Sequence, residues 1–402
     1  MKILVISQYF WPENFKINDI CLGLKEKGHE IEVLTGIPNY PLGKFSDGYS
    51  FFKNNDEVWN GIQIYRSKLF ARGFGGFRLM MNFFSFAYFA SRKGQNLKKK
   101  YDCIFVYEPS PITVGIPAIC VSKKQKIPYY FWVQDLWPES LTAAGNIQSP
   151  LVLKFFDLMT RKIYQRAEKV LVQSNGFKEY ILNQGIPANK IVFYPNTTED
   201  YYRTTLPLPE YKKLLPSGFT ITFAGNLGEA QSLPTLLEAA KILKNKNLTD
   251  IKWVFLGDGR QKKAVETYIK ENDLSDTVYL LGSFSGEKMP KFFACSDVLI
   301  ASLKKDKIFT LTIPSKIQSY LACGRPILAS LDGEGAKIIN ESESGFSSAA
   351  EDGQALADNA ERMYRLTAAE RHKMAENAVK YFRKEFERDM LLNKLIYIFK
   401  DI

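Results

Sequence analysis

Two glycine turns in the second half of the chain could bind a phosphorylated ligand through backbone groups. Phe223–Gly228 reads F-A-G-N-L-G and Val254–Arg260 reads V-F-L-G-D-G-R, and each runs from an apolar strand pattern into a helical pattern. Glycine lets the backbone approach a ligand closely, and the free amides of such a turn attract phosphate. The second turn could also hold a base or a ribose. The candidate binding residues are Gly225, Gly228, Gly257, Asp258, Gly259 and Arg260. Either turn could equally be an ordinary strand-to-helix connection.

A lysine at the start of a predicted helix is a third candidate feature. Thr312–Arg325 reads T-I-P-S-K-I-Q-S-Y-L-A-C-G-R, in which Pro314 suits a first helical turn and Gly324 suits a C-terminal cap. Ser315 and Lys316 then lie at the helix N-terminus, where the helix dipole, free N–H groups and an ammonium together favour a diphosphate. The alternative is a surface lysine on a well-capped helix.

The elements that would position these residues form two series of one architecture. In the first series, strand patterns at Met1–Ile6 and Glu30–Thr35 flank a helical pattern at Asn18–Lys27. Such an opening argues for a doubly wound sheet. The further predicted strands are Cys103–Tyr107, Tyr129–Val133, Lys169–Gln173, Phe219–Ala224, Lys252–Leu256, Val278–Leu281, Val298–Ala301 and Pro326–Ala329. The sequence therefore predicts an α/β fold with two Rossmann-like, doubly wound domains.

A proline-containing seam separates the two series. Tyr194–Gly218 holds four prolines and little periodicity, so we predict an N-terminal domain at 1–200 and a C-terminal domain at 201–379. The tail from about Glu370 has one long helical pattern, and its segment 380–402 could pack back on the first domain. We expect the two domains to face each other across a cleft that holds the ligands, because ligands bind at the carboxyl ends of such strands.

Cysteine and histidine usage excludes several kinds of site. The chain of 402 residues has five scattered cysteines and no C-x-x-C pair, which indicates a reduced, cytosolic protein. Two histidines leave almost nothing for a His-based zinc site or a Ser-His-Asp triad, and no D-x-D motif stands out. We therefore expect no metal and no cofactor. The first residues lack the features of a signal peptide, and no apolar run reaches the ~18–20 residues that span a bilayer.

The positive charge is concentrated in one part of the chain. The sequence has 54 Lys and Arg against 43 Asp and Glu, and residues 60–130 alone contain twelve basic and two acidic residues. The aromatic residues of this part include Phe70, Phe74, Phe77, Phe83, Phe84, Phe86, Tyr88 and Phe89. Leu79–Ala90 predicts a helix in a membrane interface, with 70–100 against an anionic surface and with Phe83, Phe84 and Phe86 in contact with lipid. The alternative is a core helix. Massed aromatic residues disfavour nucleic-acid binding.

Longer motifs identify a resemblance to a known family. The second half contains, in this order, the glycine turn F-A-G-N-L-G, the L-G-D-G turn and Tyr320–Ser330 (Y-L-A-C-G-R-P-I-L-A-S). This series resembles the second domain of family-4 glycosyltransferases, the retaining nucleotide-sugar enzymes of GT-B architecture. The first domain is similar at Tyr9–Glu13 (Y-F-W-P-E), Gly28–Phe45 and Trp132–Ser140 (W-V-Q-D-L-W-P-E-S). These motifs resemble the branch that builds bacterial O-antigen and capsule repeats, which includes N-acetylfucosaminyl-type transferases. The resemblance covers nearly the whole chain.

The resemblance implies a reaction and a location. A sugar, with an N-acetylated amino sugar among the candidates, would pass from a nucleotide-diphosphate donor, expected to be UDP-linked, to a polyprenyl-diphosphate-linked saccharide with retention at the anomeric carbon. Such enzymes generally need no protein nucleophile, because the leaving diphosphate oxygen can take the acceptor proton on the same face of the sugar. The protein stabilises the diphosphate charge and positions the acceptor. The resemblance implies a cytoplasmic enzyme peripheral to the inner membrane.

Two acidic positions of the family are missing on the donor side. The family's Glu-x7-Glu signature aligns to Leu311 and Ser319, and its second Glu usually holds the donor ribose. Ser319 or Gln318 could hydrogen-bond the ribose instead, and Glu334 could contribute.

Two basic positions of the family are also replaced. The phosphate-binding Arg and Lys align to Asn226 and Gln231, which we nevertheless retain as donor-binding candidates. Neutralisation of the phosphate charge therefore moves to Lys316, with Arg260 as a second cation.

On the first-domain side, carboxylates are the candidates. The family's cleft histidine is replaced by Gln134, so a histidine base is excluded at that position. We predict that Asp135 and Glu139 contact sugar or acceptor hydroxyls and that Glu13 lines the cleft, with Glu108 as a similar candidate. The alternatives are an N-cap for Asp135, a dipole-complementing acid for Glu139 and a solvent-facing Glu13.

Two other functions remain open at this point. A nucleotide-sugar 2-epimerase shares the two-domain architecture, although such enzymes usually rely on several acids and histidines in the cleft. A non-catalytic glycosyltransferase-like partner subunit would explain the missing Glu pair.

Overall fold

Alternating strands and helices in the first half of the chain build a sheet of eight strands. The computed structural model describes residues 1–73, 75–141 and 149–400. The strands are β1 Lys2–Ile6, β2 Glu30–Gly36, β3 Glu57–Trp59, β4 Ile62–Ser67, β5 Cys103–Glu108, β6 Tyr129–Val133, β7 Lys169–Val172 and β8 Ile191–Phe193. Their order is β3-β4-β2-β1-β5-β6-β7-β8, and β3 pairs antiparallel with β4 while the other neighbours are parallel. The helices of this part include Lys16–Glu26, Gly76–Gln95, Gly115–Gln125, Pro150–Arg166 and Asn175–Asn183.

The second half builds a parallel sheet of six strands. These are β9 Phe219–Ala224, β10 Ile251–Leu256, β11 Val278–Gly282, β12 Val298–Ser302, β13 Ile327–Ser330 and β14 Gly345–Ser348, in the order β11-β10-β9-β12-β13-β14. The helices include Pro209–Lys212, Leu233–Asn245, Lys262–Glu271, Met289–Cys295, Lys307–Leu311, Ser315–Cys323, Glu334–Glu341, Gly353–Arg365, Ala368–Glu385 and Arg388–Lys400. The predicted α/β class with two parallel-sheet domains is confirmed.

Burial explains why the apolar runs form the central strands. All residues of β6 and β9 are buried, and so are Ile3–Ile6 of β1. A parallel strand in the middle of a sheet is covered by helices on both faces, so both of its faces must be apolar. Strands β3, β4, β8 and β14 lie toward the sheet edges and were not predicted.

The chain divides into two units. Unit 1 comprises Met1–Tyr194 and the segment from Leu392, and unit 2 comprises Pro195–Leu391. In unit 1, the ring of Phe399 packs against Tyr130, with ring centroids 4.8 Å apart, and against Phe105, at 5.5 Å.

The tail differs from its predicted single helix. It forms two helices, which are separated at Phe386, where φ is −130°. The side chain of Phe386 is buried in the core of unit 2, with its ring centroid 6.0 Å from that of Tyr381. The helical spacing of apolar residues continues through this break, so the pattern alone did not reveal it.

Candidate functional site

In unit 2, Lys316 lies where the carboxyl end of β9 meets a helix N-terminus. The Ser315–Cys323 helix begins after Pro314, so Lys316 is on its first turn. The Lys316 ammonium donates a hydrogen bond to Gln231 Oε1 and lies 3.6 Å from the centroid of the Phe223 ring. A Cβ on Gly225 would stand 2.8 Å from Lys316 Cε, and Gly225 has a φ of 137°, so glycine is required there. Three predicted site residues are thus brought together.

The environment of Lys316 disfavours its own charge. Burial lowers the pKa of the Lys316 ammonium to about 7. Lys316 is half-buried and its ammonium contacts Gln231 and the Phe223 ring, so it is not a freely solvated surface lysine. Because its hydrogen-bond acceptor is a neutral amide and its other neighbour is an aromatic ring, the ammonium would gain most from an anionic group placed beside it. A diphosphate has this chemistry.

The two glycine turns pack against each other. A Cβ on Gly257 would stand 1.9 Å from the Gly225 carbonyl oxygen, and a Cβ on Gly259 would stand 2.5 Å from Asn226 Oδ1. The Leu227 N–H donates to the Asp258 carbonyl oxygen at 2.8 Å. The mutual packing of the turns therefore requires glycine at positions 257 and 259, whether or not a ligand is bound.

The remaining residues of the turns differ in exposure and bonding. A Cβ on Gly228 would stand 2.7 Å from Asn226 Nδ2. The Asp258 carboxylate accepts the Gly259 N–H at 2.7 Å, and this bond, with the nearby Lys262, lowers the pKa of Asp258. Arg260 is exposed.

The substitutes for the family's ribose-binding Glu are already bonded. Ser319 Oγ lies 2.8 Å from Thr198 Oγ1, and Ser319 also donates to the Ser315 carbonyl oxygen at 3.2 Å. The buried Gln318 amide donates to the Asn196 carbonyl oxygen at 2.6 Å, while its Oε1 has no partner among the described residues. A ribose would have to replace these contacts or add to them.

Leu311 and Ser319, which align with the two glutamates of the family signature, and Glu334 lie on three different helices. Leu311 ends the short helix Lys307–Leu311, whereas Ser319 lies in the middle of Ser315–Cys323. Glu334 begins the helix Glu334–Glu341, directly after Gly333.

In unit 1, two predicted acids lie at the carboxyl ends of the central strands. Glu108 ends β5 and is fully buried, and its Oε1 accepts the Ser110 N–H at 3.0 Å. Asp135 follows β6 and accepts the Ser140 hydroxyl at 2.5 Å. Burial and then the Asp135 charge raise the pKa of Glu108 well above its usual range, and burial also raises the pKa of Asp135. The negative charge of Asp135 therefore disfavours the ionised form of Glu108.

Glu139 lies near this pair on a different element. Helical residues begin at Glu139, so Asp135 lies four positions before the first helical residue and is not the N-cap. Burial and a hydrogen bond to Glu139 raise the pKa of Tyr180. The pKa of the buried Tyr164 hydroxyl is also raised by burial, with smaller contributions from the surrounding acids.

Glu13 is buried, which corrects the solvent-facing alternative. Its Oε1 accepts the Asn39 N–H at 2.8 Å and the Tyr40 N–H at 2.7 Å. Burial raises the pKa of this carboxyl. Glu13 therefore fixes the loop that follows β2.

A polar network that was not predicted from the sequence lies beside Glu13. Asn39 Oδ1 accepts hydrogen bonds from Asn82 Nδ2 at 3.2 Å and from the Arg72 N–H at 3.1 Å. Gln8 Nε2 donates to Asn82 Oδ1 at 2.7 Å, and Arg72 Nη1 donates to the Tyr9 hydroxyl at 3.4 Å. Gln8 and Tyr9 lie two and three positions after the end of β1, so polar residues shortly after a buried parallel strand were the signal to look for.

The Gly76–Gln95 helix has one core face and one exposed face. Phe83 and Phe86 are buried, which corrects the expectation that they contact lipid, whereas Phe77, Phe84 and Tyr88 are 79%, 38% and 55% exposed. The rings of Phe84 and Phe155 lie 6.5 Å apart. Phe74 lies outside the described residues. One face of this helix thus packs in the core, and the other face exposes aromatic residues.

The described ranges contain neither a candidate metal cluster nor a helix that could span a membrane. Within them, no group of three or more His, Cys, Asp or Glu is placed to hold a metal ion. Of the helices in these ranges, none combines the length and the apolar character needed to cross a bilayer.

Two family models match successive parts of the chain. The model described as "Glycosyl transferase 4-like domain" matches residues 16–197, and the model described as "Glycosyl transferases group 1" matches residues 218–365. Among curated proteins, the chain is similar to Escherichia coli K12 WcaI, named as a colanic acid biosynthesis glycosyl transferase. The two are 23% identical over 347 residues, which cover 81% of this chain and 82% of WcaI.

Solved structures share the fold. Anabaena Alr3699/HepE in complex with UDP and glucose is similar over 100% of both chains, with a TM-score of 0.69 and 15% identity. An Escherichia coli trehalose-6-phosphate structure bound with UDP-2-fluoro glucose is similar over 100% of this chain and 99% of the other, with a TM-score of 0.73 and 13% identity.

Proposed function

Because this chain is a glycosyltransferase of the two-domain, family-4 type, we propose that it transfers a sugar from a nucleotide-diphosphate donor to a polyprenyl-diphosphate-linked saccharide. The enzyme class follows from the family, whereas the UDP group, the acceptor and retention are parts of the proposal. The product would belong to a bacterial surface polysaccharide, such as an O-antigen or a capsule. WcaI, named for colanic acid biosynthesis, supports this direction.

The arrangement around Lys316 is the observation that carries the donor assignment. Lys316 is a half-buried ammonium at a helix N-terminus, beside Gly225 and Gln231. A departing diphosphate would be stabilised by this cation and by the helix dipole, and such charge stabilisation is usually the largest contribution to catalysis. The solved neighbours that hold UDP support UDP as the nucleotide.

The acids of unit 1 supply acceptor contacts in this proposal. Asp135 and Glu139 would accept hydrogen bonds from acceptor or sugar hydroxyls and so fix the attacking oxygen. Glu13 would act by holding the loop at Asn39 and Tyr40 in place. With retention, the acceptor proton would pass to the leaving diphosphate oxygen, and no protein nucleophile would be needed.

A donor panel tests the proposed reaction. The full chain would be incubated with nucleotide sugars and a short polyprenyl-diphosphate saccharide, and the anomeric configuration of the product would be determined by NMR. We expect one UDP-sugar to give a product with the donor's configuration. An inverted product would overturn retention, and release of an epimerised sugar without acceptor would favour the 2-epimerase. Donor binding without transfer to any acceptor would favour the non-catalytic subunit.

Association with an anionic membrane is the second part of the proposal. The exposed aromatic face of Gly76–Gln95 and the basic residues of 70–100 support it. It would place the enzyme at the cytoplasmic face of the inner membrane, where a polyprenyl-linked acceptor is held.

Removal of the exposed aromatic residues is expected to weaken this association. Phe77→Ser combined with Phe84→Ser should lower the fraction that sediments with anionic liposomes by tenfold or more, because burying one aromatic side chain contributes ~1.5–3 kcal/mol. Leu206→Ser, at an 82% exposed residue of unit 2, is the matched control and should change nothing. Equal sedimentation of the double variant and the parent protein would contradict the proposal. Substitution of Phe83 or Phe86 is unsuitable because both are core residues.

A further inference from the structure

An apolar groove lies between two helices of unit 1. It has a volume of about 520 Å³ and lies between Gly115–Gln125 and Pro150–Arg166. Ile116, Ile119 and Cys120 line it from the first helix, and the second helix contributes an apolar wall that includes Phe155 and Leu158. Pockets of this size hold small ligands, and an apolar lining selects an apolar ligand.

Two cations are the charged groups at this groove. Lys162 and Arg166 are four positions apart on the Pro150–Arg166 helix, so they lie on the same face. Both are exposed. Among the described residues, none of those lining the groove is acidic, and none forms an ion pair with Lys162 or Arg166. An occupant that complements the whole site therefore has an apolar part and a negatively charged part.

The groove is continuous with the exposed aromatic face of Gly76–Gln95. Phe155 and Leu158 are 53% and 58% exposed although they line the groove, and the ring of Phe155 lies 6.5 Å from that of Phe84. A chain leaving the groove at Phe155 would pass directly onto the surface that we assign to the membrane.

We propose that this groove binds one hydrocarbon chain of an anionic membrane phospholipid, with the headgroup phosphate against Lys162 and Arg166. This inference rests on the proposed membrane association and deepens it from a surface contact to a defined lipid site. The apolar lining explains the choice of a lipid chain over a soluble anion, and the pair of cations explains the choice of an anionic over a neutral lipid. Lipid in this site would hold unit 1 in one orientation on the bilayer.

Cys120 provides a native probe for the groove. It is half-buried, whereas Cys21, Cys103, Cys295 and Cys323 are buried. The rate of its modification by a soluble thiol reagent therefore reports access to the groove. The full chain would be tested with vesicles of phosphatidylglycerol and with vesicles of phosphatidylcholine, and sedimentation would be measured on the same samples.

We expect phosphatidylglycerol vesicles to slow Cys120 modification at least fivefold, and phosphatidylcholine vesicles to have little effect. Lys162→Ala combined with Arg166→Ala should abolish the difference, whereas Lys123→Ala combined with Lys124→Ala should preserve it. The control pair is exposed on the neighbouring helix and outside the groove lining. Equal loss in both variants would indicate general surface attraction and overturn the site.

The outcomes separate this inference from the proposed function. If the protein sediments with vesicles while Cys120 stays reactive, the groove assignment fails and membrane association stands. If the protein does not sediment, the membrane association itself fails. Protection that requires an added polyprenyl-diphosphate saccharide would overturn the phospholipid as occupant.

Discussion

Lys316→Ala is expected to weaken nucleotide-sugar binding by tenfold or more, which corresponds to ~1.4 kcal/mol. The substitution removes the ammonium that lies between Gly225, Gln231 and the Phe223 ring at the helix N-terminus. Isothermal calorimetry with the preferred donor would measure the change. Lys246→Ala is the matched control, because Lys246 is an exposed lysine of unit 2 that pairs with Asp358 and Glu361.

The pH dependence of binding distinguishes a direct role of Lys316 from a structural one. The pKa of Lys316 is about 7 in the free protein, and an adjacent diphosphate would raise it, so binding takes up a proton above that pH. Donor affinity should therefore fall by up to tenfold per pH unit as the pH rises above about 7. Lys316→Ala should flatten this profile. Unchanged affinity, or an unchanged pH profile in the variant, would remove Lys316 from the diphosphate site.

Asp135→Asn is expected to lower kcat by about a hundredfold, because misplacement of the attacking hydroxyl by about 1 Å can cost a factor of this size. The amide keeps the size of the side chain, but it forms a weaker hydrogen bond with a hydroxyl of the acceptor substrate than a carboxylate does. The substitution also removes the negative charge that acts on Glu108. The KM for the nucleotide sugar should change little, because the variant leaves the groups around Lys316 intact. Steady-state kinetics with a short lipid-linked acceptor would measure both constants.

The matched control for Asp135 is a carboxylate on a neighbouring helix. Asp157→Asn removes a charge that is paired with Arg161, and it should leave kcat within a factor of two. Because burial raises the pKa values of both Asp135 and Glu108, activity of the parent enzyme should fall on acidification at a pH above the usual carboxyl range. Full activity of the Asp135 variant would contradict a role in acceptor binding and would leave this carboxyl only its hydrogen bond with Ser140.

The fold was predictable where one local pattern determines an element. Tyr129–Val133 and Phe219–Ala224 are strands with the predicted bounds, because a continuous apolar run between turns suits a buried parallel strand. The edge strands Glu57–Trp59 and Gly345–Ser348 carry partly polar side chains, and their pairing depends on neighbours distant in sequence. Such strands leave little local signal.

The site was predictable in part for a similar reason. Glycine turns and a helix start are local features, so Gly225 and Lys316 could be found in the sequence. The burial of Glu13 and the network of Gln8, Asn39 and Asn82 depend on three loops that come together only in the folded unit. Which aromatic residues of Gly76–Gln95 are exposed likewise depends on what packs against the helix, so Phe83 and Phe86 were misassigned.

The return of the chain to unit 1 has a consequence for synthesis. The rings of Phe105 and Tyr130 are fully buried, and Phe399 covers part of each. The ribosome adds Phe399 only after every residue of unit 2. At ~5–20 residues per second, translation of the intervening segment takes on the order of ten seconds or more. Unit 2, as one continuous segment, can complete its core as it emerges. During this interval, the nascent unit 1 exposes the apolar surface that Phe399 later covers. We expect chaperone binding to unit 1 to be strongest during this interval.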